Sequence, residues 1–266
     1  MAQQPTMPGV RVLETGNILF FYRPKQGVLH PTDPEDLERV YFMLLPDDQE
    51  HHVNRLFNVA HGVFPSIVPG KALPEERDWA FVQDVSRDPR GVLESLEKNI
   101  PAPPEPSGQR ARPWAPAAGV GRYAIARHDD HTHLVYRLRK PERPGEVQRE
   151  IQIRPEASYI ISVKEPYAPS EIVLEQKPNY PESLRRKFDG MGWIPADPTD
   201  LLDYQYAQIL IIGARVDVEK ELGLKLDTGR ENQAEKQVLE MLRQQEKEAA
   251  EQGISLLEPM LKGEWV

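Results

Sequence analysis

Short apolar runs, separated by turns that contain proline, glycine or aspartate, fill residues 10–175 and predict β-strands. The run ILFFYR at 18–23 has no polar residue before its final arginine, which indicates a strand buried on both faces. Another run ends at Pro46-Asp47-Asp48, where proline stops strand pairing and aspartate side chains bond the backbone of a turn. The spacing of such turns predicts about eight strands.

Two of the predicted hairpins share their sequence. Residues 41–56 (YFMLLPDDQEHHVNRL) and 123–138 (YAIARHDDHTHLVYRL) align without gaps at a shift of 82 residues and are identical at seven of sixteen positions. The identities include an Asp-Asp turn and the arginines Arg55 and Arg137. We interpret the two segments as one β-hairpin that is used twice.

The fold class predicted from this pattern is α+β, mainly β. Two similar β-hairpin-based units are expected to form a sandwich or a barrel-like core, because two sheets that each expose an apolar face gain by packing together. A helical C-terminal region is expected to follow. The predicted bounds are a first β unit at 1–99, a proline-rich linker at 100–118, a second β unit at 119–175, and a helical C-terminal region with an amphipathic tail at 176–266.

Three further segments have less direct patterns. Alternation of apolar residues over 147–153 predicts a strand. The stretch LLDYQYAQILIIGA at 201–214 follows a helix-start signal and favours a buried helix, although 209–212 alone also fits a strand. Residues 231–252 carry a narrow apolar stripe at helical spacing, which fits a helix docked on its own domain or one that self-associates.

Composition narrows the classes of function. The chain of 266 residues has no cysteine, which excludes disulfides, thiolate metal ligands and a cysteine nucleophile and favours a reducing compartment. The first residues lack the pattern of a signal peptide, and no stretch approaches the roughly 20 apolar residues that span a bilayer, so we expect a cytoplasmic protein without membrane insertion. A net charge of -9 disfavours binding to duplex nucleic acid.

The strongest chemical pattern is HDDHTH at 128–133. Alternate residues of a strand point the same way, so His131 and His133 could reach one metal ion, with His128 opposite them across the turn and Asp129 or Asp130 supplying oxygen. This set suits a divalent transition metal as cofactor. The pattern is similar to that of cupins, but a cupin has a glutamate ligand about four residues after its His-x-His and this chain has Arg137 there. The alternative is a solvated polar turn.

A second candidate site consists of the repeated arginines. Arg55 and Arg137 on the returning strands could bind a carboxylate or phosphate between the two halves, since arginine recognises such groups through two parallel hydrogen bonds. The alternative is that both form ordinary cross-strand ion pairs. Residues 119–124 fit the pattern GxGxxA of dinucleotide-binding proteins, but a proline-rich segment precedes them and a strand follows, which is the wrong context.

The phrases GNILFFYRPK, GVGRYAIARHDDHTHLVYRL and PGEVQREIQIRPEASYIISVKEP resemble those of a bacterial protein family with no assigned activity, over residues 16–215. This resemblance implies no catalytic residue. The leading interpretation is a non-enzymatic cytoplasmic binding or assembly protein that contacts a protein partner, or itself, through the C-terminal helix. The alternatives are a metal-dependent enzyme centred on the HDDHTH turn and an anion-binding module that uses the strand arginines.

Overall fold

The computed structural model describes residues 7–68, 76–98 and 114–266. The described residues form nine strands and six α-helices. The strands are β1 Val10–Pro24, β2 Leu37–Pro46, β3 Asn54–Val59, β4 Arg77–Ser86, β5 Ala117–His128, β6 His131–Lys140, β7 Glu156–Lys164, β8 Trp193–Pro195 and β9 Gln208–Arg215. The helices are α1 Pro89–Lys98, α2 Glu146–Glu150, α3 Glu182–Arg185, α4 Val218–Leu222, α5 Gln233–Ala250 and α6 Glu258–Lys262.

Eight of the strands close into an antiparallel barrel. Around the barrel their order is β1, β2, β3, β4, β9, β7, β6 and β5, and β5 pairs again with β1. The short strand β8 adds to β7 outside this ring. Closure removes exposed sheet edges among the eight strands. The predicted mainly β fold is confirmed, in its barrel form.

Aromatic side chains fill the barrel. Phe42 and Phe57, which face each other across β2 and β3, stack with ring centroids 4.5 Å apart. Phe20 and Tyr136 pack beside them at 5.0 Å, and Tyr159 contacts Tyr136 from β7. Alternate residues of each strand supply this layer, which is why the strands show alternating apolar positions in the sequence.

A layer of helices covers one side of the barrel. The outward residues of β1 and β2, among them Leu19, Phe21 and Met43, pack against apolar residues of α1, α5 and α6. These strands are therefore apolar on both faces, as the run at 18–23 predicts. The amphipathic tail forms α5, which docks on its own barrel. No helix among the described residues is long and apolar enough to cross a membrane.

Little of the predicted linker can be compared with the structure, because residues 99–113 lie outside the described part of the chain. Trp114 is buried among the outer apolar residues, and its Nε1 donates a hydrogen bond to Gln252 at 3.1 Å. Residues 117 and 118 already belong to β5. The last part of the predicted linker is thus packed against the C-terminal region.

The helix that the sequence favours over 201–214 is wrong, and the alternative of a strand at 209–212 is confirmed. A 3₁₀ turn at Thr199–Leu202 precedes β9, which pairs with both β4 and β7. Ile209 and Ile211 point into the barrel core. A strand forms here because β4 and β7 each have a free edge, and the branched residues of β9 satisfy both edges at once. Residues 176–266, predicted as helical, therefore also contribute β8 and β9.

The strand expected over 147–153 is also wrong, because residues 146–150 form α2. Val147 and Ile151 lie four residues apart, so one face of a helical turn can carry both into the barrel core. Gln148 supports the turn, since its Oε1 accepts from the Gly145 N–H and its Nε2 donates to the carbonyls of Ala118 and Pro259. In so short a segment, apolar residues at positions i and i+4 fit both the helical period of about 3.6 residues and the strand period of two residues.

Candidate functional site

The three histidines of the HDDHTH turn lie on one face of one hairpin. His128 ends β5, His131 begins β6, and the two residues are directly paired across a two-residue turn. His133 lies two residues further along β6, on the same face as His131. One ring nitrogen of each histidine lies within 4.8 Å of those of the other two. The structure thus brings together the three histidines that the sequence predicts as ligands.

This face is the outer wall of the barrel, beneath α4. Residues that share this face of β5 and β6, Ala126 and Val135 among them, pack against Val218 and Leu222 of α4. Burial increases along the group: the His131 and His128 side chains are 35 % and 28 % exposed, whereas His133 is 1 % exposed as a residue. The site is open to solvent at the turn and closed beneath the helix.

His133 is the innermost member of the group. Its Nδ1 lies 2.9 Å from the Ser158 hydroxyl on β7, and its Nε2 has no hydrogen-bond partner in the described part of the chain. Burial, together with the nearby charges of His131 and His128, lowers the pKa of His133 to about 3. The ring is therefore neutral at ordinary pH, which is the form that binds a metal ion.

The aspartates of the turn remain at the surface. Asp130 is 93 % exposed and accepts from His131 Nδ1 at 2.8 Å, which lowers the pKa of Asp130. Asp129 is 73 % exposed and lies 3.6 Å from His128 Nε2. Both carboxylates contact the outer histidines, so they stand at the solvent side of the site rather than in its interior.

A buried carboxylate that no sequence pattern indicated lies beside the site. Glu221 of α4 has a side chain only 11 % exposed and lies near Ser158, whose hydroxyl is 2.9 Å from His133 Nδ1. Burial raises the pKa of Glu221, and Ser158 and the charge of Arg215 oppose this effect. Its Oε2 has no partner among the described residues. No sequence signal marks Glu221, because it is 88 residues beyond His133 on an ordinary charged helix.

The two predicted anion-binding arginines have different surroundings. Arg55 is fully buried, with bonds of 2.7 and 3.0 Å to both oxygens of Glu14 and a bond of 2.7 Å to Asp203. Arg137 has a side chain 56 % exposed, and its Nε lies 3.6 Å from Glu156. They differ because aligned residues of the two hairpins lie on opposite faces of the barrel wall: Leu56, next to Arg55, packs in the outer layer, whereas Leu138, next to Arg137, packs in the barrel core.

A second group with metal-ligand chemistry surrounds Arg55. Atoms of His52, Asp200 and Asp203 lie within 4.8 Å of one another. The Arg55 guanidinium already occupies this group, however, at 2.6 Å from Asp203 and 3.3 Å from His52 Nδ1. Burial disfavours the charge of Arg55, but Glu14 and Asp203 more than compensate and raise its pKa. A cation next to this guanidinium would be repelled, so we interpret the group as a buried ion-pair network.

Comparisons of the chain with protein-family models, with curated proteins and with solved structures found no significant match.

Proposed function

We propose that the protein binds a divalent transition metal ion through His128, His131 and His133. The observation that carries this proposal is the convergence of three imidazole nitrogens within 4.8 Å, one of which is the unpartnered Nε2 of buried His133. An unsatisfied buried nitrogen costs free energy, and native proteins contain few of them. A metal ion would supply the missing partner of this nitrogen. If the segment were only a solvated turn, the buried nitrogen would stay without a partner.

The donor set indicates which metals suit the site. Three neutral imidazoles without thiolate favour zinc, copper, nickel or iron over magnesium or calcium. Sites with three protein ligands keep a further position open, and the exposed sides of His128 and His131 leave room for one. A metal ion held there supplies Lewis acidity toward water or a substrate oxygen. Asp129 and Asp130 at the rim are available to accept a proton from such a group.

Metal analysis of the purified protein tests the proposal. We expect about one equivalent of metal per chain, and stabilisation by about 2.7 kcal/mol when zinc is present at 100 times its Kd, because a ligand that binds only the folded state stabilises it. His131→Ala removes one ligand and should abolish both effects. His51→Ala is the control, since His51 belongs to the first hairpin, where it aligns with His133, and its side chain is 73 % exposed.

Two results would contradict the proposed metal site. If the wild-type protein contains no stoichiometric metal and zinc, copper, nickel and iron leave its melting temperature unchanged, the three histidines form a polar surface only. Equal losses in His131→Ala and His51→Ala would also count against it, because adventitious binding to surface histidines predicts that result.

The assembly function predicted from the sequence stays a prediction. This prediction is based on the apolar stripe of the tail. The residues of this stripe, such as Val238 and Leu242, are instead buried against the outer face of the barrel. A partner would have to bind the polar side of α5 or displace the helix. The anion-binding and cytoplasmic interpretations also stay predictions, the latter supported by the absence of cysteine.

We also propose that the barrel contains two copies of one unit, β2–β3–β4 and β5–β6–β7. In support, β2 and β5 both pair with β1, and β4 and β7 both pair with β9, so that β1 and β9 separate the two units. The two hairpins are not identical, since the first has the longer loop, 47–53, and aligned residues lie on opposite faces of the barrel wall, with Tyr41 in the outer layer and Tyr123 in the core. Since His128 and His131 occur only in the second copy, the duplication predicts one metal site per chain.

A further inference from the structure

A pocket on the wall of the barrel is lined by none of the residues of the proposed metal site. Its volume is about 700 Å³, which is in the range of pockets that hold small molecules. Trp79 of β4 and Leu210 of β9, which are directly paired, contribute to its lining, and Trp193 of β8 contributes from outside the barrel ring. Strands β9 and β7 lie between β4 and β6, so the pocket is separated from the three histidines. The two indole rings give it flat apolar surfaces on which another ring can stack.

His61 lines this pocket with its orientation fixed by a buried carboxylate. The His61 side chain is 66 % exposed, and its ring lies beside that of Trp79, with the centroids 6.2 Å apart. Its Nδ1 lies 2.6 Å from Oδ1 of Asp78, and its backbone N–H donates to Oδ2 of the same carboxylate at 3.2 Å. Asp78 is 3 % exposed as a residue. Because a carboxylate can only accept, a neutral His61 carries its proton on Nδ1 and keeps a lone pair on Nε2.

The lining of the pocket is preformed where segment 63–66 crosses it. The Ser66 hydroxyl donates to Gln152 Oε1 at 2.8 Å, and Gly213 lets the Ser66 carbonyl approach β9, since an added Cβ would lie 2.2 Å from that oxygen. Gln152 has a φ of 61°, which non-glycine residues rarely adopt and which the surrounding structure must hold in place. Its amide oxygen is used by Ser66, so its amide nitrogen remains as a donor for a ligand. A lining that is fixed before a ligand arrives lowers the entropic cost of binding.

The charges around the pocket favour an uncharged ligand. Arg77 is positive and Glu171 is negative, and the Asp78 carboxylate is already engaged by His61. The pocket therefore has no excess of positive charge with which to attract a phosphate or a carboxylate. A ligand has to gain its affinity from stacking and from hydrogen bonds between neutral groups.

We propose that this pocket binds a neutral ring compound that carries a hydroxyl group, either a phenol or a sugar. A hydroxyl group can donate to His61 Nε2 and accept from the amide nitrogen of Gln152, whereas its ring stacks on an indole. Asp78 is a positioning residue, because it fixes which nitrogen of His61 keeps the lone pair. This site is additional to the proposed metal site and does not depend on it.

Titration of ¹⁵N-labelled protein with two probes, p-cresol and methyl glucoside, tests the site and distinguishes the two classes. We expect one probe to bind with a Kd on the order of 1 mM, which suits so small a ligand. It should shift the indole N–H signals of Trp79 and Trp193. The chain has four tryptophans, and the other two, Trp114 and Trp265, do not line the pocket and should be unaffected.

Variants of the His61–Asp78 pair test the hydrogen bond to the hydroxyl. His61→Ala should weaken binding of that probe roughly 5- to 10-fold, the effect of one lost hydrogen bond. His51→Ala is the matched control, because His51 Nδ1 lies 2.8 Å from Asp48 in a similar exposed pair that does not line this pocket. Asp78→Asn should change the His61 tautomer, seen in two-bond ¹H–¹⁵N spectra, from Nδ1–H to a mixture and weaken binding, because an amide can donate to Nδ1 as well as accept from it.

Four results would overturn the proposed pocket: no shift of Trp79 and Trp193 with either probe, equal shifts of all four tryptophans, equal losses in His61→Ala and His51→Ala, or binding of p-methylanisole, which lacks the hydroxyl proton, as tightly as p-cresol. If Asp78→Asn does not fold, His61→Ala decides, since this exposed side chain can be removed with little effect on the melting temperature. The zinc measurements on His131→Ala are independent of this titration, so the pocket and the metal site can fail separately.

Discussion

Two buried charged residues of this protein differ in how completely they are paired. The Arg55 guanidinium has carboxylate partners on both sides, and Glu14 also accepts a hydrogen bond from the Tyr123 hydroxyl at 2.5 Å. Glu221 has a buried oxygen, Oε2, without a partner among the described residues. A buried ion pair stabilises a fold only when its groups are fully paired, which holds for Arg55. The contrast separates the ion-pair network around Arg55 from the surroundings of the candidate metal site.

Replacing each repeated arginine by methionine tests this difference. Arg55→Met leaves Glu14 and Asp203 buried without their cation, so we expect a loss of about 3–5 kcal/mol in the free energy of unfolding. Arg137→Met, at the aligned and exposed position, should change it by less than about 0.5 kcal/mol. Urea denaturation measures both values. Similar losses for the two variants would contradict the assignment of Arg55 to a structural network.

At the scale of elements, the close approach of β5 and β6 explains the presence of glycine in the GxGxxA pattern at 119–124. Gly121, the second glycine of the GxGxxA pattern, lies in β5, where an added Cβ would come within 2.1 Å of the Arg137 carbonyl oxygen. Gly16 on β1 is similarly placed against the Leu45 carbonyl, at 2.3 Å. Glycine occurs in strands where another backbone passes this closely. These glycines therefore allow neighbouring strands of the barrel to approach closely.

Gly121→Ala should consequently destabilise the barrel. Its methyl group would meet backbone rather than a movable side chain, so we expect a cost of about 1–3 kcal/mol, the range for overpacking in a closely packed interior. Gly192→Ala is the control, because its Cβ would lie 3.4 Å from the Ala168 Cβ, an ordinary contact. Thermal unfolding of both variants measures the effect. Equal melting temperatures would mean that β5 and β6 can separate without cost.

At the scale of the whole molecule, the barrel depends on its outer layer of helices. The outward side chains of β1 and β2 are as apolar as the inward ones, and α1, α5 and α6 keep them from water. The N-terminus of α5 is fixed by Asn232, whose Oδ1 accepts from the Glu235 N–H while its Nδ2 donates to the Leu45 carbonyl. The tail is therefore part of the folded core and not an appendage.

A charge placed beneath α5 tests this dependence. Leu242→Asp buries a carboxylate that lacks a partner, and we expect a loss of several kcal/mol and increased binding of the dye ANS as the outer face of β1 and β2 becomes exposed. Gln244→Asp, two residues away on the exposed side of the helix, is the control. An unchanged melting temperature in Leu242→Asp would show that the tail is not needed to cover the barrel, which would favour its predicted role in assembly.

Local patterns predicted part of the site and most of the strands. Alternation along β6 and the two-residue turn place three histidines on one face, and both properties depend only on neighbours in sequence. Local patterns favoured the wrong element at α2 and β9, because the apolar pattern of both segments fits more than one period. At β9 the free edges of β4 and β7 decided that a strand forms. Arg55 and Arg137 look equivalent in the sequence because the alignment does not reveal which face of the barrel wall each strand residue occupies, and the aligned Leu56 and Leu138 lie on opposite faces.

The sequence by itself determined the mainly β fold, the hairpins, and the group of His128, His131 and His133, since strand alternation and turn chemistry act over a few residues. Only the tertiary structure decided that the strands close into one barrel, that Arg55 is buried in an ion-pair network, and that Ser158 and Glu221 stand behind His133. These contacts join segments 25 to 148 residues apart. Their partners are chosen by burial and by the satisfaction of buried polar groups, which depend on the whole packed chain.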